Sequence, residues 1–307
     1  MSTYVVGHQN PDTDSICAAL TYANLKQELG ADVEAIRAGK VNAETEFILD
    51  EFDIEAPRLV EEVTSEDRVI LVDHNEKSQA IDGIAEAEIA GVIDHHRIGD
   101  IETGNPIYFR NEPVGCTSTI ITKLYQEHDV EISDQMAGLL LSAILSDTVI
   151  FRSPTCTETD KEFAEMLAQQ LGVDIKDYGV KIFKAGSVVK KLSPQELVTN
   201  DYKEYEFAGD RVGVGQVEVM DVEQVEGLKE DILTAAEELV AENGYSFLIL
   251  LVTDILAEGS LLLMSDSAVE VVEDAFAVEV ENNEVYLDGV LSRKKQVIPV
   301  LSDYLTQ

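Results

Sequence analysis

"GHQNPDTDSICAAL", residues 7–20, follows a short apolar run, Tyr4-Val5-Val6, and passes into apolar residues at helical spacing. The stretch predicts a strand, a turn and the start of a helix, and the turn carries His8, Asp12 and Asp14. One polar side chain suffices to cap a helix, and Asp14, ahead of Ser15, is well placed for that role. An imidazole and two carboxylates exceed it. The same ending recurs twice: "RVILV" (68–72) leads into Asp73, His74 and Asn75, and "IAGVI" (89–93) into Asp94, His95 and His96. Four of the five histidines therefore fall in three short segments, each at the end of a strand pattern.

Strand patterns at 4–6, 33–37, 69–72 and 89–93 alternate with helical patterns at 14–29, 43–52 and 79–88, and further helices fit 117–128, 134–146 and 159–171. This order predicts an α/β fold with a doubly wound parallel sheet and helices on both faces. The carboxyl ends of parallel strands lie along one edge, where ligands bind. The three segments should converge there, and Asp147, at the end of the apolar helix "AGLLLSAILS" (137–146), can join them. The pattern breaks at "KAGSVVKKLSPQEL" (184–197), which divides a first domain (1–186), carrying all of these segments, from a second domain (195–307) through a hinge at 187–194. The second half predicts a smaller mixed α/β domain. Its strands fit 212–220, 247–255, 260–264 and 285–287, with a helix at 222–242 and a terminal helix after Pro299.

Composition narrows the setting. The 307 residues suffice for two domains. Sixty Asp and Glu against 22 Lys and Arg give a net charge of -38, which opposes binding to nucleic acid or anionic lipid. Such a surface suits a salt-rich cytoplasm, or simply an acidic cytosolic enzyme. Cys17, Cys116 and Cys156 are sparse and form no CxxC pair, as expected in a reducing compartment. Residues 1–8 lack the features of a signal peptide, and no apolar run approaches the ~18–20 residues of a membrane span, so a cytoplasmic protein without a membrane partner is expected.

Several acids packed at one sheet edge repel one another strongly unless cations bind between them. Imidazoles and carboxylates without thiolates favour Mn²⁺ or Co²⁺, with Mg²⁺ possible, over structural zinc. The donors outnumber what one octahedral ion needs, which points to two ions sharing a carboxylate. Ions ~3.5–4 Å apart polarise a bridging water and suit in-line attack on phosphorus. The expected activity is hydrolysis of a phosphate ester or anhydride.

The ordered motifs "GHQNPDTDS" (7–15), "LVDHNE" (71–76), "VIDHHR" (92–97), "LSAILSDT" (141–148), "SPTCT" (153–157) and "SRKKQ" (292–296) resemble the DHH phosphoesterase superfamily. Within it the chain is most similar to family II inorganic pyrophosphatases, the manganese-dependent class, over essentially its whole length. The resemblance implies that pyrophosphate is the substrate. It also implies that His8, Asp12 and Asp73 hold one Mn²⁺, and that Asp14, Asp73, His95 and Asp147 hold a second. Asp73 then bridges. Co²⁺ is a possible substitute, and additional Mg²⁺ or Mn²⁺ would arrive with substrate. By the same resemblance His96 contacts substrate and protonates the leaving phosphate, and the second domain is of the DHHA2-like, substrate-binding type. A homodimer is the family expectation.

"SRKKQ" is a rare basic cluster in so acidic a chain. Arg293 offers a planar fork for phosphate oxygens and Lys294 a point charge, while Lys295 is expected to face outward. Lys203, in "NDYKEYEF", matches a further substrate-contacting lysine of the family. The nearest rivals are an exopolyphosphatase and a nucleotide-directed phosphodiesterase. Relatives of the latter kind carry a "GGGH"-like motif, and this chain has no Gly-Gly pair. Among lesser features, "GVG" (213–215) reads as strand, and "PVGCTST" (113–119) as a helix start capped by Ser or Thr. His74 reads as support for the metal shell and His128 as surface, while Ser78 and Gln79 follow the Asp73 segment closely enough for a place at the border of the site, with no role assigned to them.

Overall fold

The computed structural model describes residues 3–187, 189 and 191–306. They form two compact units, Met1–Gly186 and Ser187–Gln307. The expected hinge includes Val188 and Lys190, which lie outside the described residues.

The first unit runs β1 (Thr3–Val6), α1 (Thr13–Glu28), β2 (Glu34–Arg37), α2 (Ala43–Glu51), β3 (Arg58–Leu59), β4 (Arg68–Val72), β5 (Glu88–Asp94) and β6 (Tyr108–Asn111). Four helices complete it: α3 (Thr117–Glu127), α4 (Asp134–Asp147), α5 (Glu158–Leu171) and α6 (Ile175–Gly186). The six strands form one parallel sheet in the order β3-β2-β1-β4-β5-β6. The winding reverses between β1 and β4, and a crevice opens at such a switch point beyond the strands' carboxyl ends.

Strand side chains alternate between two cores, as a period of two requires. Val5, Ile70 and Val72 face a core completed by helices α1–α6. Val6, Val69 and Leu71 face the other side, against Val63, Ala80, Ile81 and Ile84. There the structure departs from the expectation of helices on both faces, since all six helices pack on the first core. The helix expected over 79–88 does not form: residues 79–87 are turns with a bridge at Asp82, Glu88 already opens β5, and Gly83 is the reason. It adopts φ +80°, and a Cβ there would meet the Val63 carbonyl oxygen at 1.9 Å. The apolar positions 80, 81 and 84 imitate helical spacing while serving a turn that caps the sheet.

The second unit runs α7 (Pro194–Val198), β7 (Lys203–Phe207), β8 (Asp210–Val219), α8 (Lys229–Asn243), β9 (Phe247–Asp254), β10 (Gly259–Met264), α9 (Val269–Phe276), β11 (Glu284–Asp288) and α10 (Ile298–Leu305). Its sheet has the order β11-β10-β9-β8-β7, parallel only at β8/β9. On β9, Leu248, Leu250 and Val252 face a core with α7 and α8, while Phe247, Ile249 and Leu251 face one with α9 and α10. "GVG" lies within β8, as expected. The helix expected over 222–242 is divided into a 3-10 segment, Val222–Leu228, and α8. Pro194 is not linker but the first residue of α7, capped by Ser193.

Candidate metal centre

The chain after β1 turns sharply, and Asp12, not Asp14, caps α1, its carboxylate accepting from the Ser15 amide at 3.0 Å. The expected cap was displaced by two residues because α1 begins at Thr13, which puts Asp14 inside the first helical turn. Asp14 is fully buried and reaches across to α3. It accepts from the amides of Thr117 (2.7 Å) and Ser118 (3.1 Å) and from the Ser118 hydroxyl (2.5 Å). "PVGCTST" therefore does not cap α3 with its own Ser or Thr. Cys116 occupies the cap position without a side-chain bond, and Asp14 satisfies the free amides from another helix.

Asp73 follows β4 directly, with its amide bonded to the Ile93 carbonyl. Its φ of +62° is uncommon for a residue with a Cβ, and such strain concentrates at functional sites. The two oxygens of its carboxylate face opposite ways. Oδ2 lies 3.5 Å from His8 Nε2, and Oδ1 lies 3.5 Å from His95 Nε2. His8 Nε2 is also 3.6 Å from Asp12, and His95 Nε2 is 3.8 Å from Asp147. Three overlapping donor groups result: His8, Asp12 and Asp73; Asp14, Asp73, His95 and Asp147; and Asp73, His95 and His96. The structure thus brings together all six residues expected to hold metal, with His96 beside them.

The donor chemistry fits a cation. His95 Nδ1 is 3.0 Å from the Val114 carbonyl, which requires a proton on Nδ1 and leaves the lone pair of the neutral ring on Nε2. Nε2 is buried without a hydrogen-bond partner, facing two carboxylates. Only a proton or a metal ion makes that juxtaposition favourable. The pKa values say the same. Burial opposes a charged His8, yet Asp12 and Asp73 outweigh it and raise its pKa to about 10. Burial likewise opposes charge on His95, and Asp73 and Asp14 raise it to about 9. Burial followed by the Asp73 charge pushes Asp14 up to about 7. Burial and the charges of Asp14 and Asp73 push Asp147 well above the carboxylate range. Burial works against ionisation of Asp73 too, but the two histidines hold it below that range.

His96 is arranged differently. Its side chain is about half exposed, at 54%, and its Nδ1 is bonded to Asp94 Oδ1 at 2.9 Å. That bond raises the imidazole pKa. Asp94 is fully buried and also accepts the amides of His95 (2.8 Å) and His96 (3.1 Å) and the side-chain amide of Asn75. His74 Nδ1 is 2.9 Å from the Val72 carbonyl, and its ring packs edge-on to His8. The Gln79 carbonyl accepts the Gln9 amide, while Ser78 and His128 are exposed.

Comparison with known proteins fits this geometry. The DHH family, N-terminal domain, matches residues 2–144, and the DHHA2 domain matches residues 180–304. The manganese-dependent inorganic pyrophosphatase of Bacillus subtilis is 47% identical over 304 residues, covering 99% of this chain and 98% of its own. The chain belongs to the manganese-dependent inorganic pyrophosphatases. A solved structure from Methanococcus jannaschii, assigned to family II inorganic pyrophosphatases, is 45% identical, covers 99% of each chain and superposes with a TM-score of 0.61.

In this pyrophosphatase sequence two basic residues of the second unit, Lys203 and Arg293, meet at one backbone position. Lys203 pairs with Val214 across β7 and β8, and the Val214 carbonyl accepts from Arg293 Nη1 at 3.1 Å. Arg293 opens a single π-turn (Arg293–Val297) and is only 5% exposed, with Nη2 on Asp201 at 3.0 Å and Nε buried without a partner. Lys203, Lys294 and Lys295 are exposed. Sequence reasoning missed the residues that hold the ligands rather than act as ligands: Asn75, Asp94, Thr117 and Ser118. The visible signal was a run of small polar residues, "CTST", whose partners lie in other segments.

Proposed function

We propose that the chain hydrolyses pyrophosphate to two orthophosphates at a centre of two Mn²⁺ ions. In this reading His8, Asp12 and Asp73 hold one ion, and Asp14, Asp73, His95 and Asp147 hold the other. The observation that carries it is the Asp73 carboxylate, which presents one oxygen to His8 and the other to His95. Bound Mn²⁺ supplies Lewis-acid stabilisation of phosphoryl oxygens and lowers the pKa of water toward neutrality. Co²⁺ can take the same donors, and further Mg²⁺ or Mn²⁺ neutralises the diphosphate it accompanies.

The chain's own residues do the rest. His96, with Nδ1 anchored on Asp94, is oriented to donate a proton from Nε2 to the departing phosphate. Arg293, Lys294 and Lys203 supply positive charge to the phosphate oxygens. Assembly as a homodimer is supported by the open edge of the first unit's sheet, where β6 exposes Tyr108 and Phe109. A cytoplasmic setting is supported by three unpaired cysteines and by the absence, among the described residues, of any helix long and apolar enough to cross a membrane. The test is phosphate release from pyrophosphate and from tripolyphosphate after metal stripping, with Mn²⁺, Co²⁺, Mg²⁺ and Zn²⁺ restored separately. Pyrophosphate with Mn²⁺ or Co²⁺ should be fastest, and a preference for tripolyphosphate would refute the reading.

A further inference from the structure

Asp160 is fully buried, follows the donor Asp147 after one intervening turn, and belongs to none of the donor groups. It sits in the first turn of α5, and its carboxylate is surrounded by donors. Oδ2 accepts from the Gly115 amide (2.9 Å), the Thr157 amide (2.7 Å) and the Thr157 hydroxyl (2.6 Å), and Oδ1 accepts from the Thr119 hydroxyl (2.6 Å). The Thr157 bonds form the capping box of α5. The other two belong to a different segment, the turn that begins α3. A Cβ at Gly115 would come within 2.8 Å of the Thr148 side chain and 2.9 Å of Asp160 Oδ2, so the turn is held where only glycine fits.

That turn is the one that grips the metal-facing carboxylates. Between Gly115 and Thr119 lie Thr117 and Ser118, which give Asp14 two amides and a hydroxyl and give Asp73 Oδ1 the Thr117 hydroxyl at 3.1 Å. Asp160 fastens both ends of the segment. We propose that Asp160 is a positioning residue of the metal centre, fixing the Gly115–Thr119 turn so that its donors hold Asp14 and Asp73 in ligand geometry. The proposal rests on the reading of Asp14 and Asp73 as ligands. Partners behind a metal ligand fix its orientation, and their loss typically lowers metal affinity by about 10–100-fold.

The experiment measures Mn²⁺ dissociation constants of the metal-stripped full chain by competition with a chelator, alongside the melting temperature. Asp160→Ala should bind Mn²⁺ at least about tenfold more weakly. Asp160→Asn should recover most of that loss, because its amide oxygen can replace Oδ2 and its NH₂ can donate to the Thr119 hydroxyl. Thr157→Val removes only the hydroxyl's bonds in the capping box and leaves the Thr157 amide and both bonds to the Gly115–Thr119 turn in place, so it should lower the melting temperature and leave Mn²⁺ affinity close to that of the parent chain. Parent-like affinity in Asp160→Ala, or an equal loss in Thr157→Val, would overturn the proposal. Should Asp160→Ala not fold, Thr119→Val decides: weakened Mn²⁺ binding supports the role and unchanged binding overturns it. Asp73→Ala is the control for the ligand reading itself. Parent-like binding there would remove that reading, whereas weak binding there with normal binding in Asp160→Ala removes only the role of Asp160.

Discussion

Removing metal should convert the centre into a pH-dependent liability, with a sign fixed by the charges packed in it. Asp14 has a pKa raised to about 7 in the folded chain, against an ordinary aspartate value of 3.8. The metal-free native state therefore holds its proton more tightly than the unfolded chain does. The stability this provides is fully present below pH 4 and lost as pH rises to 7. Three pKa units at about 1.4 kcal/mol each make the loss about 4 kcal/mol. Asp147, raised for the same reasons, adds to it in the same direction. His8 and His95, raised to about 10 and about 9, continue the decline, since their contribution is lost between pH 6.5 and those values. Asp73 acts oppositely, but only as pH falls below the ordinary carboxylate range. Urea unfolding of the stripped chain at pH 5, 7 and 9 should show steadily falling stability. With Mn²⁺ bound, the same donors are already deprotonated, and the decline between pH 7 and 9 should largely vanish. A stripped chain whose stability is flat or rises from pH 5 to 9 would refute the reasoning.

Three further outcomes follow. His96→Gln should keep Mn²⁺ affinity while slowing turnover by about 10²–10⁴-fold, as loss of a general acid does; loss of metal instead would make His96 a ligand. Gly83→Ala should destabilise the chain by at least ~2 kcal/mol in a thermal melt, from left-handed strain and the Val63 contact, whereas a helix over 79–88 would gain ~0.5–1 kcal/mol from the same change. Raising KCl toward molar should raise the melting temperature by screening a net charge of -38, and should also raise KM as pyrophosphate loses attraction to Arg293, Lys294 and Lys203. A melting temperature indifferent to salt would contradict the first claim, and a constant KM the second.

The parallel sheet and the meeting of its strand ends were legible because both depend on local pattern and topology. A strand that ends in His and Asp announces its own place at the sheet's carboxyl edge. What eluded the sequence depends on contacts between distant segments. Asp12 and Asp14 compete for one cap two residues apart, and the winner is set by where α1 starts and by what α3 brings against it. The turns at 79–87 share their apolar spacing with a helix, and only Gly83's conformation separates the two. The short edge strands β3 and β6 bury little and so carry little hydrophobic pattern. The helix over 159–171 was expected from its spacing, but that the Asp160 carboxylate closes its capping box and also anchors residues 115–119 is visible only in three dimensions.

The central claim is that Asp73 joins two ions, and manganese content tests it most directly. Parent chain and Asp73→Ala are stripped, incubated with excess Mn²⁺, desalted and analysed for metal and protein together. The parent should retain about two Mn²⁺ per chain and Asp73→Ala close to none, because one substitution takes an oxygen from each ion. An Asp73→Ala chain that retains both ions, or a parent that holds only one, would contradict the account.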